Sequence, residues 1–128
     1  MVRSGYDFFD IFVLKLRQDG TVEWAKNYPN NSLQVGLDVA VDTASNVIVT
    51  GAFAGDVAFD DTVLSANGPY NSNLFVLKLR PDGSVYWARN YKGIGFDKGN
   101  GVAVDAAGNV FVTGEFTNKI EFGDFTVF

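Results

Sequence analysis

In Phe12-Val13-Leu14-Lys15-Leu16-Arg17, an extended chain puts Phe12, Leu14 and Leu16 on one face and Val13, Lys15 and Arg17 on the other. Apolar residues therefore occupy both faces. Val39-Ala40-Val41 and Val47-Ile48-Val49 show even less polar alternation, the pattern of strands covered on both sides rather than half exposed to water. Four such runs follow one another: 36–42 and 46–53, separated by Thr43-Ala44-Ser45, then 74–80 and 85–91, separated by Pro81-Asp82-Gly83. Each pair predicts a hairpin, and no helix is evident.

The pattern is stated twice. Phe12 to Arg17, Asp19-Gly20, Val22, Trp24-Ala25 and Asn27-Tyr28 return between Phe75 and Tyr91, and Val39 to Asp42, Asn46-Val47, Val49-Thr50-Gly51 and Phe53 return between Val102 and Phe116, all 63 residues on. Sliding residues 1–65 over 64–128 gives 28 identical pairs of 65 without a gap, Gly5 over Gly68 among them. A period of this size with strands inside each unit marks a repeat architecture. The second unit reads Asp105-Ala106-Ala107-Gly108-Asn109 at its first turn, where Gly suits the left-handed position; Ser45 stands there in the first unit and is expected at positive φ. Residues 54–73 form an insertion expected to carry a small hairpin, partly repeated from Thr117 onward.

Four short antiparallel strands sandwiched between similar sheets describe a β-propeller blade. The expected organisation is a complete blade at 36–91, the third and fourth strands of a blade at 10–28, and the first and second strands of a blade with part of the insertion at 99–128. Propellers need about four to eight blades. Head-to-tail assembly is therefore expected, the terminal hairpins of neighbouring chains completing each other's blades in a dimer, trimer or tetramer, with the six-bladed trimer preferred.

Composition narrows the partners. The 128 residues are 47% hydrophobic and 20% charged, ordinary globular values, with net charge −5 and no basic cluster, which argues against nucleic acid or an anionic membrane as partner. No run approaches the roughly 18 apolar residues of a membrane span, and residues 1–4 precede no signal-type apolar core, so the chain reads as soluble and unprocessed. Cysteine is absent, which leaves reducing and oxidising compartments open. Histidine is absent too, and with it the commonest general base, the usual zinc ligand and both standard nucleophile triads.

At these residues the sequence resembles the bacterial SBBP β-propeller repeat. Asp10, Phe12-Val13, Lys15-Leu16, Gly20, Trp24, Val41-Asp42, Asn46 and Val49-Thr50-Gly51 match its pattern in one unit. Phe75-Val76, Lys78-Leu79, Gly83, Trp87, Val104-Asp105, Gly108-Asn109 and Val112-Thr113-Gly114 match it in the other. Departures are Asn73 for Asp, Ser45 for Gly, and Ile48 and Phe111 for Tyr. The resemblance implies a propeller without attributed catalytic residues, carried as an array in large bacterial surface or secreted proteins, of which two units would be an excerpted or engineered pair.

Candidate chemistry is sparse. Trp24 and Trp87 could stack on sugars, but both recur at one repeat position beside Ala, which points to packing between blades. Lys15 and Lys78 lie mid-strand and are expected to reach neighbouring carboxylates along buried stems. Asp19-Gly20 and Asp82-Gly83 resemble the Asp-box turn of sialidase-type propellers but lack its preceding Ser or Thr and its second Gly, so they read as plain turns. Asp56, Asp60, Asp61 and Asp124 match no Ca²⁺ loop and read as solvated turn acids. The long connections 29–36, 54–73, 92–99 and 117 onward share one face of the meander and differ between units, so a ligand is expected there, at Gln34, Asp38, Asp97, Lys98 and Asn100. The expected function is a non-catalytic interaction module, a self-assembling symmetric propeller without cofactor or metal. The alternative is a lectin-like binder of glycan or protein; a hydrolase acting through Asp97 ranks last.

Overall fold

The apolar runs extend into strands because β-branched and aromatic side chains fit a pleated sheet covered on both faces. The computed structural model describes residues 9–66 and 71–128; the pairing of Gly5 with Gly68 lies outside them. Among the described residues there are twelve strands and no helix: β1 Phe12–Leu16, β2 Val22–Asn27, β3 Gln34–Val41, β4 Val47–Phe53, β5 Asp56–Phe59, β6 Thr62–Ser65, β7 Asn73–Leu79, β8 Val85–Tyr91, β9 Lys98–Val104, β10 Val110–Glu115, β11 Ile120–Phe122 and β12 Phe125–Val127. The chain is all-β, as its pattern predicts.

At the centre β3, β4, β7 and β8 form one antiparallel sheet in that order. In its middle pair Val49 stands opposite Leu77, Thr50 opposite Val76 and Gly51 opposite Phe75. Hairpins β1-β2 and β9-β10 are separate two-stranded sheets, and β5-β6 and β11-β12 are smaller ones within the insertions. All five sheets are antiparallel and open.

Strand alternation divides the core in two. One face of the central sheet presents Val47, Val49, Phe53, Phe75, Leu77 and Leu79, which pack on Ile11 and Val13 of the first hairpin, on Tyr28, and on Val57, Phe59 and Leu64 of β5-β6. The other face presents Ile48, Leu74 and Val76, packed on Ile120 and flanked by Val102, Val104, Val110 and Phe116. Strand β4 is buried along its whole length, so an unbroken apolar run is what its position demands. Phe75, Leu77 and Leu79 are fully buried, each stabilising the fold by about 1.5–3 kcal/mol relative to exposure.

The tight turns are closed by repeated polar residues. Asp42 Oδ1 accepts from the backbone N–H of Ala44 at 3.0 Å and of Asn46 at 2.8 Å, while Asn46 Nδ2 donates to Asp42 Oδ2 at 2.9 Å. Asp105 and Asn109 repeat the arrangement at the same three distances. Asp19 accepts from both N–H and Oγ1 of Thr21, and Asp82 from both of Ser84. These are plain capped turns. Bulges recur as well, leaving Leu37 of β3 and Asn100 of β9 without a cross-strand partner.

Strand β3 starts at Gln34, two residues before the expected Gly36, because Gln34 pairs with Phe53 and its N–H donates to Phe9 O at 2.9 Å. Ser45 has φ 66° where Gly108 has φ 86°. A Cβ in the left-handed region costs on the order of 1 kcal/mol, so Ser45→Gly should stabilise the chain by about that much. The check is thermal unfolding at matched protein concentration, and an unchanged melting temperature would contradict the turn strain.

Candidate functional site

Strands β3 and β9 run beside each other where the central sheet meets the β9-β10 hairpin. The junction is hydrogen-bonded: Val102 N–H donates to Asp38 Oδ2 at 2.8 Å. Lys98 Nζ lies 2.9 Å from Glu115 Oε1, and Asn100 Nδ2 donates to the same oxygen at 3.4 Å. Asn100 reaches it from the β9 bulge, a feature that re-aims a side chain. The Lys98 ammonium and the Asn100 amide hold the Glu115 carboxyl below its usual range. Asp38, Lys98 and Asn100 are thus gathered on one exposed seam, with their polar groups already engaged. Both partners of the ion pair are well exposed, so it adds little to stability.

Gln34 and Asp97, expected on the same open face, are buried instead. They are counterparts 63 residues apart. Each starts a first strand by donating its N–H to the segment leading into a third strand, Gln34 to Phe9 O at 2.9 Å and Asp97 to Ser72 O at 3.0 Å. Gln34 Oε1 also accepts from Ile11 N–H at 3.3 Å, and Asp97 Oδ1 from Thr117 N–H at 3.1 Å. Their burial follows from these long-range bonds, which residue type alone does not reveal. Gln34 Nε2 and Asp97 Oδ2 make no hydrogen bond among the described residues. Asp97 Oδ2 rests against Gly93, where any Cβ would overlap it. Burial pushes the Asp97 carboxyl above its usual range.

The other candidates hold structural positions. Trp24 Nε1 donates to Pro81 O at 3.0 Å and its ring packs on the first core cluster, while Trp87 packs on the second. Lys15 is 2.7 Å from Glu23 and Lys78 is 3.5 Å from Asp42. Asp60 accepts from Val85 N–H at 3.0 Å. Among the described residues no group of three or more acidic, His or Cys side chains is placed to hold a metal. The Tyr28 hydroxyl is buried in the first cluster, which raises its pKa to about 12.

Two apolar grooves flank the molecule, and sequence reasoning named neither. One, of about 730 Å³, lies between β8 and β10 and is lined by Leu74, Val76, Trp87, Tyr91, Val112 and Phe122 among others. The other, of about 700 Å³, lies between β1 and β3 and is lined by Leu14, Leu16, Trp24, Val39, Val41 and Val49 among others. The sequence-level signal that could have found them is that Phe12 and Phe111 repeat Phe75 and Ile48 of the two-sided apolar strands while standing on hairpins that have no partner hairpin in chain order.

An all-β repeat chain with a polar seam and apolar flanks is the class that fold and site define. No family model matches the chain. It is 28% identical over 137 residues to an uncharacterised WD repeat-containing protein of Acanthamoeba polyphaga mimivirus, a match covering 87% of this chain and 10% of that protein. The chain thus spans about a tenth of the length of the curated relative it matches. That similarity reaches a repeat-containing protein and leaves the SBBP resemblance to rest on the repeated residues. No helix among the described residues is long and apolar enough to cross a membrane.

A carboxyl whose folded pKa lies above its unfolded value opposes folding once pH passes the folded value, and its effect vanishes below the unfolded one. Asp97→Asn should therefore be more stable than the parent near neutrality, with the advantage fading as pH falls into and below the carboxylate range. Denaturant unfolding of both proteins across this pH interval is the check. An advantage that persists in acid would show that the Asp97 charge is not the cause.

Proposed function

We propose that the chain is a non-catalytic interaction module of the β-propeller type, completed by association of its copies into a ring. The observation that carries this reading is the placement of the repeated residues: the central sheet lies between two hairpins that match its own two halves. Its apolar faces, its capped turns and its paired lysines account for the repeated side chains among the described residues. The similarity to a WD repeat-containing protein supports the same class. The 36–91 segment is the whole blade of this reading, and 10–28 and 99–128 are half-blades supplied to neighbours. Asp38, Lys98 and Asn100 are the proposed ligand contacts on the loop face, for a protein segment or a glycan, with Gln34 and Asp97 behind them as supports.

Light scattering coupled to size exclusion tests the association. The expected mass is two, three or four times 13.9 kDa, with three copies and six blades preferred. A folded monomer across a wide concentration range would overturn it.

A further inference from the structure

We infer that the two grooves are the two sides of one intermolecular seam: β1 of a second copy of this chain pairs antiparallel with the open edge of β10, placing Leu14 of that copy opposite Val112 and its Val13 opposite Thr113. This rests on the ring-forming reading above and deepens it by naming the occupant and its register.

The register follows from the internal repeat. In the central sheet Val49 faces Leu77, Thr50 faces Val76 and Gly51 faces Phe75. Subtracting or adding 63 residues converts β7 into β1 and β4 into β10, and Val112, Thr113 and Gly114 then face Leu14, Val13 and Phe12. One chain cannot satisfy this pairing itself. Its β1 lies on the first face of the central sheet and its β10 on the second.

Exposure follows the same logic. Phe75, Leu77, Leu79 and Ile48 are all 0% exposed, whereas their counterparts Phe12, Leu14, Leu16 and Phe111 are 74%, 46%, 51% and 60% exposed. In the first core cluster Tyr28 and Phe59 lie 4.8 Å apart and Phe59 meets Phe75 of the central sheet at 5.5 Å. Across the larger groove Tyr91 and Phe122 reproduce the first pair at 5.3 Å. The ring that corresponds to Phe75 is Phe12, so Phe12 of the second copy enters that groove beside Phe122, with Leu14 and Leu16 following it. In the other groove Phe111 of a neighbour takes the place of Ile48 and covers Val39 and Val41, 56% and 62% exposed in the single chain.

Charge agrees with shape. Lys78 and Asp42 pair at 3.5 Å between the third strand and the first turn of the whole sheet. Their counterparts, Lys15 and Asp105, stand on the two different half-sheets that this register brings together. The buried bond from Thr50 Oγ1 to Phe75 O, 2.8 Å long, likewise has its counterpart between Thr113 and Phe12 of the second copy. Each copy offers one half and accepts the other, a heterologous contact that closes as a ring when the rotation allows.

The chain has no cysteine, so an engineered pair reports cleanly. Directly opposed residues of antiparallel strands have Cβ atoms about 4.5–5.5 Å apart, and a shift of one residue turns the side chains to opposite faces. Mild oxidation of the double variant Leu14→Cys/Val112→Cys should give a ladder of covalent oligomers ending at the ring's copy number, several times more abundant than from Leu14→Cys/Phe111→Cys. Mixing the two single variants should give covalent dimers that neither gives alone. Should the first pair lose its β-sheet circular dichroism, Val13→Cys/Thr113→Cys reads the same register from the other face. A parent of multiple mass whose in-register pairs cross-link no better than the offset control overturns the register while leaving association standing. A folded monomer that forms no cross-link overturns both.

Discussion

A sheet that is apolar on both faces must be covered on both faces, and this constraint governs the chain. Strand β4 carries no exposed residue, and β7 has none either. Neither could stand in a two-layer arrangement with one side in water. The central sheet therefore needs a hairpin on each side, and the repeat supplies one before it and one after it. The same requirement then passes to the hairpins. Each satisfies it on the side facing the centre and leaves apolar side chains on its outer side, Phe12, Leu14 and Leu16 on the first hairpin and Phe111 on the second.

Polar residues serve a different requirement. Tight turns leave backbone N–H groups without sheet partners, and these must be satisfied locally. Asp42 and Asp105 are held by Asn46 and Asn109, and Asp19 and Asp82 by Thr21 and Ser84; in each case that side-chain hydrogen bond is the main cause of a lowered carboxyl pKa. Such acids favour the fold above the carboxylate range and lose that contribution as pH falls through it. Asp97 has the opposite sign, because its environment withdraws water without returning a bond to Oδ2. Two kinds of aspartate thus coexist in one acidic chain. The numerous kind sits at turns, where solvent and backbone N–H groups share the charge.

Much of this was legible beforehand, for physical reasons. Strand positions and the two-sided burial follow from side-chain alternation, a local property. The left-handed residue at 45 was legible because its counterpart is Gly108, and Ser45 does adopt φ 66°. Lys15 and Lys78 lie within reach of carboxylates because a long apolar stem in a strand must end near water or an acid. Gln34 and Asp97 were misread because their burial depends on Phe9 and Ser72, some 25 residues earlier, where no short-range pattern points. The gathering of Asp38, Lys98 and Asn100 was readable as a shared face. Their engagement with Val102 and Glu115 was not, since it depends on how a bulge turns Asn100.

The repeat also sets how stability is distributed. In stacked repeats the fold is held by each unit's own contacts and by the interface to its neighbours, so a unit with one neighbour lacks part of its stabilisation. Here the middle sheet has two neighbours and is the best buried part, while β10 is exposed along most of its length. Anything that binds the folded form and covers such a face adds to its stability by mass action. Capping by polar residues, the usual protection of a terminal repeat, is absent from the outer row of β1, whose Phe12, Leu14 and Leu16 copy the buried row Phe75, Leu77 and Leu79 unchanged. Repetition without polar caps gives the outer row of β1 the same chemistry as the interior, so the exposed faces of this chain differ from its core in position and not in side-chain type.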